Sequence, residues 1–200
     1  MDYWSRLRRF PRSHGFGLQS PFAYSFEFEI IRQKLPYYAY NKLNLERKEL
    51  GDGIETDEQF EKLLFRLSNY VQPTTVLLPA EDWGMSSRYL SEGCRKATVQ
   101  TYEDVFGLQN LIENLDRIDL LCLSCAGDFE QIFDKLYPCL SSKSMVVIKD
   151  VRSTHHEVEA WYRVIADKRV GITFDLYKVG LVFFDNCYAK QNYMVNFPSQ

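Results

Sequence analysis

The sequence predicts a three-layer α/β domain, with a mostly parallel sheet, a C-terminal antiparallel hairpin and a helical N-terminal extension. Three observations carry this reading. From residue 74 onward, short β-branched and aliphatic runs alternate with amphipathic stretches, the pattern of a parallel sheet covered on both faces. The runs 171–177 and 179–184 are separated by little more than Lys178, a connection that permits only an antiparallel pair. Before residue 73 the apolar spacing is helical. The division that follows is an extension over 1–72 packed on a core over 73–200, the two forming one structural unit.

Residues 1–20 are basic and aromatic, and Pro11, Gly15 and Gly17 break them into a short helix and a loop. Ser20 and Pro21 then read as a cap and first helical position, with Phe22, Phe26, Ile30 and Ile31 at helical spacing to about Leu35. Pro36 ends that helix. A second amphipathic piece, marked by Tyr40, Leu43, Leu45 and Leu50, stops at the turn Gly51-Asp52-Gly53. Thr56 caps a third helix over 57–70, whose apolar stripe is Phe60, Leu63, Leu64 and Leu67. Strands follow at 75–78, 98–102, 118–123 and 145–149, helices at 85–92, 128–140 and 155–166, and an edge strand at 193–197. There is no internal repeat and no linker rich in Gly, Ser or Pro.

Composition narrows the function classes. The 200 residues are 46% apolar, enough for one full core. Lys and Arg number 24 against 27 Asp and Glu, so the net charge of −3 gives no general attraction to nucleic acid or anionic membranes. No apolar stretch approaches the roughly 20 residues that span a bilayer. Arg6, Arg8, Arg9 and Arg12 come early enough for an export signal, but Pro11, Ser13, His14 and Gly15 stand where its apolar run belongs, so a cytoplasmic location is expected. Those arginines, interleaved with Trp4 and Phe10, could hold single-stranded nucleic acid by charge and stacking; a solvated or partner-docking face is the better reading, and nucleic acid is not the expected partner. Five cysteines, an odd number, argue for reduced thiols.

In a doubly wound sheet ligands bind beyond the carboxyl ends of the strands. The first such segment, Pro79-Ala80-Glu81-Asp82-Trp83-Gly84, has one glycine and two acids, which disfavours a phosphate-bearing dinucleotide; no P-loop occurs anywhere. An ordinary strand-to-helix turn is the simpler reading. Glu103, after the second strand, is placed to accept hydrogen bonds from a ribose diol, or is a solvated charge. Cys122 and Cys125 have redox spacing at a strand-to-helix junction, yet Cys122 falls within the apolar strand, where a thiol is a small hydrophobe. No metal-ligand spacing occurs, so no metal is expected. Asp150 could be a base, a metal ligand or a cap, and of the adjacent His155 and His156 at most one can face a cleft. Hydrolase chemistry has no nucleophile elbow to support it.

Three segments resemble a known family. They are His14-Gly15-Phe16-Gly17-Leu18-Gln19-Ser20-Pro21-Phe22-Ala23-Tyr24 with Lys34-Leu35-Pro36-Tyr37-Tyr38-Ala39-Tyr40, the stretch from Ser144 through Asp150 to Trp161, and residues 172–184 with 193–197. Together they are similar to the class I S-adenosylmethionine-dependent methyltransferase-like proteins of Bacteroidetes, related to small-molecule O-methyltransferases. The resemblance implies a Rossmann-like methyltransferase fold, S-adenosylmethionine as cofactor, and methyl transfer to a small hydroxyl-bearing acceptor. It places Ala80, Gly84, Glu103 and Ser124 around the cofactor and Asp150 and Lys149 at the acceptor.

The departures from the family pattern are specific. Leu78 stands where the cofactor loop has its acid and Ala80 where it has its first glycine; only Gly84 matches. Residues 104–118 are too few for the helix, strand and loops that usually follow the ribose-binding acid. Ser124 replaces an acid of metal-dependent relatives, and Lys149 replaces one of a pair of which Asp150 remains, where its ammonium would stand in for a cation. The alternative is therefore a catalytically inactive descendant that serves as a binding or protein-interaction module. The two differ in one respect: if Glu81, Trp83 or a neighbour fills the cofactor's space, the enzyme reading fails. Tyr3, Trp4, Phe10 and Phe16 would either cover the cleft or bury a homodimer surface.

Overall fold

The structure, a computed structural model, describes residues 20–50, 57–81, 83–185, 187 and 189–197. The expected helix and loop over 1–19, with its arginines, the turn at 51–53 and the Thr56 cap lie outside them. Helix α1 (Pro21–Phe26) starts at Ser20, whose hydroxyl accepts the Ala23 N–H at 3.5 Å, and runs on as a π-helical turn, Glu27–Ile31. Glu27 is fully buried there because Arg32 Nε donates to its Oε1 at 2.6 Å. Helix α2 spans Tyr38–Leu50 and α3 spans Glu58–Val71. The cap of α3 is Asp57, whose Oδ1 accepts from the Gln59 and Phe60 amides at 3.1 and 3.2 Å.

The core then alternates: β1 (Thr75–Pro79), α4 (Ser86–Gly93), β2 (Thr98–Tyr102), α5 (Val105–Ile112), β3 (Ile118–Ser124), α6 (Phe129–Leu136), β4 (Leu140–Lys149), α7 (His155–Ala166), β5 (Ile172–Asp175), β6 (Val179–Phe183) and β7 (Gln191–Met194). The sheet order is β2-β1-β3-β4-β6-β5-β7. Pairings from β2 to β4 are parallel, β6 is antiparallel to both β4 and β5, and β7 adds parallel to β5. The expected hairpin and edge strand are both present.

Side-chain alternation along the strands divides the core. Val76, Leu78, Leu120, Cys122 and Val147 face a cluster completed by Phe26, Leu63 and Leu67 from α1 and α3. Leu77, Leu121, Leu123, Val146 and Ile148 face Leu108, Phe133 and Trp161 from α5, α6 and α7. Helices thus cover both faces. A satellite cluster of Tyr40, Leu43, Phe65, Met85 and Tyr89 joins α2 to α3 and α4.

Several boundaries differ from expectation for physical reasons. The helix expected over 128–140 ends at Leu136, since Pro138 lies in a 3₁₀ turn, Tyr137–Cys139, that cannot continue it. Strand β4 begins at Leu140 rather than Met145; its polar first half is anchored by Ser144, whose hydroxyl donates to the Ile118 carbonyl at 2.6 Å. Strand β7 spans Gln191–Met194, because an edge needs only backbone pairing, while Val195 and Phe197 are buried just beyond it. Between Glu103 and β3 the chain fits helix α5 but no strand. The segment is too short for the helix and strand together, and the helix alone forms: Asp104 caps α5 by accepting the Gly107 N–H at 2.7 Å.

Candidate functional site

The carboxyl ends of β1 and β4 meet the N-terminus of α3 in a cleft of about 180 Å³, lined by Phe60, Glu61, Trp83, Gly84, Lys149 and Asp150 among others. At the end of β4, Lys149 lies with Nζ 5.2 Å from the Trp83 ring centroid and 3.7 Å from Asp150 Oδ2. Asp150 has φ +63, a left-handed conformation in which its carboxylate also accepts the Ser124 hydroxyl at 3.3 Å. Lys149, Asp150 and Ser124 are therefore one polar cluster.

The β1-to-α4 loop is closed by the chain's own groups. The Ala80 amide donates to the Tyr102 carbonyl at 2.8 Å, which fastens the loop to the end of β2 beside Glu103. Ala80 and Glu103 are both exposed. Gly84, also exposed, has φ +47, the conformation that glycine allows most readily. Trp83 turns inward, 4% exposed, against Phe60 at 5.6 Å between ring centroids. Its indole Nε1 is buried without a hydrogen-bond partner among the described residues.

The amide at the start of α4 is engaged as well. Glu61, 2% exposed on α3, accepts the Met85 N–H at 3.0 Å and pairs with Arg47 of α2. Burial pushes its carboxyl up to about 6, against the opposing pull of Arg47 and the Met85 amide. A folded-state value above the ordinary 4.5 means that the folded chain holds this proton more tightly than the unfolded one. Stability is therefore expected to be greatest below pH 4.5 in this respect and to fall as pH rises through about 6, by about 2 kcal/mol. Glu61→Gln is expected to lack this fall; urea titrations of both proteins at intervals across the window measure it, and equal slopes would show that Glu61 is not its source.

Other candidates lie away from the cleft. Cys122 and Cys125 belong to the two opposite core clusters, so they do not form a redox pair. Burial raises both thiols, Cys125 to about 12. His155 and His156 are solvent-exposed at the start of α7, where His155 Nδ1 lies 3.4 Å from Glu159. No metal-binding group of His, Cys, Asp or Glu occurs among the described residues. No helix among them is long and apolar enough to cross a membrane. Sequence reasoning passed over Glu61, Arg47 and Phe60, which reach the site from the extension.

Solved structures share this architecture. A Geobacter sulfurreducens methyltransferase aligns over 75% of this chain and 90% of its own, at TM-score 0.52 and 15% identity. A methyltransferase of Podospora anserina bound to S-adenosylhomocysteine aligns over 84% and 97%, at 0.58 and 11%. The chain has a methyltransferase fold. The Streptomyces achromogenes O-methyltransferase TomG, solved with S-adenosylmethionine, aligns over 80% of this chain and 93% of its own, at 0.52 and 13%. No protein-family description matches the sequence, and no curated protein matches it.

The residues present can be tested against the cofactor such a fold implies. Glu103 fits a ribose diol, being exposed at the end of β2. The other end does not fit. A ligand carboxylate at the start of α4 would compete with Glu61 for the Met85 amide, and Trp83 stands in the loop where backbone must be approached. Of the residues that the resemblance places around the cofactor, Gly84 lines the described cleft, whereas Ala80, Glu103 and Ser124 do not.

Proposed function

We propose that this chain is a catalytically inactive methyltransferase-fold protein that serves as a binding module. The observation that carries the reading is the Glu61 carboxylate on the Met85 amide: an internal anion, neutralised by Arg47, holds the helix start that a ligand carboxylate would need. Trp83 supports it by occupying the loop from within. Fold alone does not supply catalysis, because activity resides in the site.

The second reading keeps methyl transfer to a small hydroxyl-bearing acceptor, and the exposed Glu103 favours it. In that case Ala80, Gly84 and Ser124 would border the donor, Asp150 would take the acceptor proton, and Lys149 would steady the resulting charge. Methyl transfer needs chiefly in-line positioning, since the sulfonium of S-adenosylmethionine already activates the methyl group.

Calorimetric titration with S-adenosylmethionine and S-adenosylhomocysteine separates the two. The expected result is no saturation at about 1 mM and no thermal shift, since a ligand at 100 times its Kd would add about 2.7 kcal/mol of stability. Micromolar saturation would overturn the proposal and restore the transfer reading.

A further inference from the structure

A larger cavity, about 480 Å³, opens on the other side of α3, between Pro36, α2 and Phe197. Its volume lies within the range of small-molecule sites. Among the described residues four cationic side chains line it, Arg32, Lys34, Lys62 and Arg66, and none of the lining residues carries a carboxylate. Two of the four are compensated from outside the cavity: Arg32 pairs with Glu27 at 2.6 Å and Lys62 with Glu58 at 2.5 Å. Lys34 is exposed and has no ion pair among the described residues.

Arg66 is the decisive member. It is 5% exposed, and its guanidinium donates to the Ile30 and Ile31 carbonyls at 2.6 and 3.2 Å and meets the Tyr40 phenol. All of these partners are neutral. The carbonyls close the C-terminus of the α1 π-turn and offset part of the charge, yet a buried cation without a counter-ion among the described residues remains electrostatically incomplete. Arg32 is already paired with Glu27, and its Nη2 and the Glu27 Oε2 are both buried without a hydrogen-bond partner among the described residues. An anion entering the cavity would be drawn to Arg66.

The rest of the lining speaks to the body of the ligand. Gln33, Asn41, Asn44 and Gln59 supply amides, which both donate and accept and can pair bidentately with a purine edge. Half-buried Tyr37 and exposed Leu35 and Pro36 supply a flat, apolar side. We propose that this cavity binds a nucleoside monophosphate, with Lys34, Lys62 and Arg66 attracting the phosphate and the amides facing the base. The site uses residues 59, 62 and 66 of α3, whereas the cleft uses 60 and 61 with the cap Asp57, so it stands whether or not the cleft takes a methyl donor.

The test is titration of the full chain with adenosine monophosphate, adenosine and inorganic phosphate. Adenosine monophosphate is expected to bind at least about tenfold more tightly than either fragment, and less tightly as salt rises. Lys34→Gln combined with Lys62→Gln is expected to weaken it at least about tenfold, as loss of charge-assisted hydrogen bonds requires. Both sites are accessible enough that the fold survives; an unchanged far-UV spectrum and melting curve check this, and Lys34→Gln alone, at an exposed position, should still weaken binding measurably. No saturation by about 5 mM nucleotide, equal binding of adenosine, or indifference to the lysine substitutions would overturn the proposal.

Discussion

Asp175→Ala is expected to destabilise the chain by about 3–5 kcal/mol, the usual cost of leaving one partner of a buried ion pair behind. Asp175 ends β5 at 1% exposure. Its Oδ1 accepts from Arg152 Nη1 at 2.8 Å and from the Tyr177 amide at 2.9 Å, and its Oδ2 accepts the Trp161 indole N–H at 3.3 Å. Removing the carboxylate deprives the Arg152 guanidinium of its counter-charge and the fully buried Trp161 of its acceptor. Tyr177, held at φ +80 in the β5–β6 turn, loses the bond that favours that strained conformation. The next two residues, Lys178 and Val179, line the cleft, so the damage reaches the candidate site. Denaturant titration measures the effect as a lower midpoint at constant slope. A loss below about 1 kcal/mol would mean that the pair contributes no more than a surface one. Asp175→Asn, with a single side-chain oxygen, keeps an acceptor for only one of Trp161 and Tyr177, and its loss should fall below that of Asp175→Ala.

Most of the fold is legible in the sequence because strand alternation fixes which side chains meet which layer. Val76 and Leu78 point one way and Leu77 the other, and the same holds for Cys122 against Leu121 and Leu123. The hairpin is equally legible, since so short a connection leaves no other geometry. Helix α5 is less legible because Gly107 is a weak helix former and only Leu108 is fully buried, which leaves a weak period; the Asp104 cap is the available signal. The polar cluster at the end of β4 could be anticipated from position alone, since Lys149 and Asp150 leave a strand at its carboxyl end.

The closing of the cleft could not be read that way. Glu61 looks in sequence like one more charge on the polar side of an amphipathic helix. Yet nearly every residue from Phe60 to Ser68 is buried, because α3 is covered by the sheet, by α2 and by α4. Glu61 tolerates that burial only through Arg47, 14 residues earlier, and the Met85 amide, 24 residues later. Arg66, on the same helix, tolerates it through carbonyls some 35 residues away. Partners at such separations belong to tertiary structure, and local spacing holds no record of them.

The position of α3 itself depends on one glycine, and Gly93→Val is expected to cost about 3 kcal/mol. A Cβ at Gly93 would lie 2.4 Å from the Phe65 carbonyl oxygen and 2.9 Å from Ser68 Cβ. The first of these is backbone, so no rotamer change relieves it, and α3 must move away from α4. That movement would stretch the bond from the Ser68 hydroxyl to the Leu90 carbonyl, now 2.7 Å, and the bond from Met85 to Glu61. Two readouts should therefore change together in the variant: the denaturation midpoint falls, and the pH dependence between 4.5 and 6 that Glu61 confers becomes shallower as the carboxylate gains water. Gly93→Ala sharpens the test. On an open helix alanine would be favoured over glycine by about 1 kcal/mol, so a loss of stability in this variant measures the contact itself, and a gain would show that the two helices have room to spare.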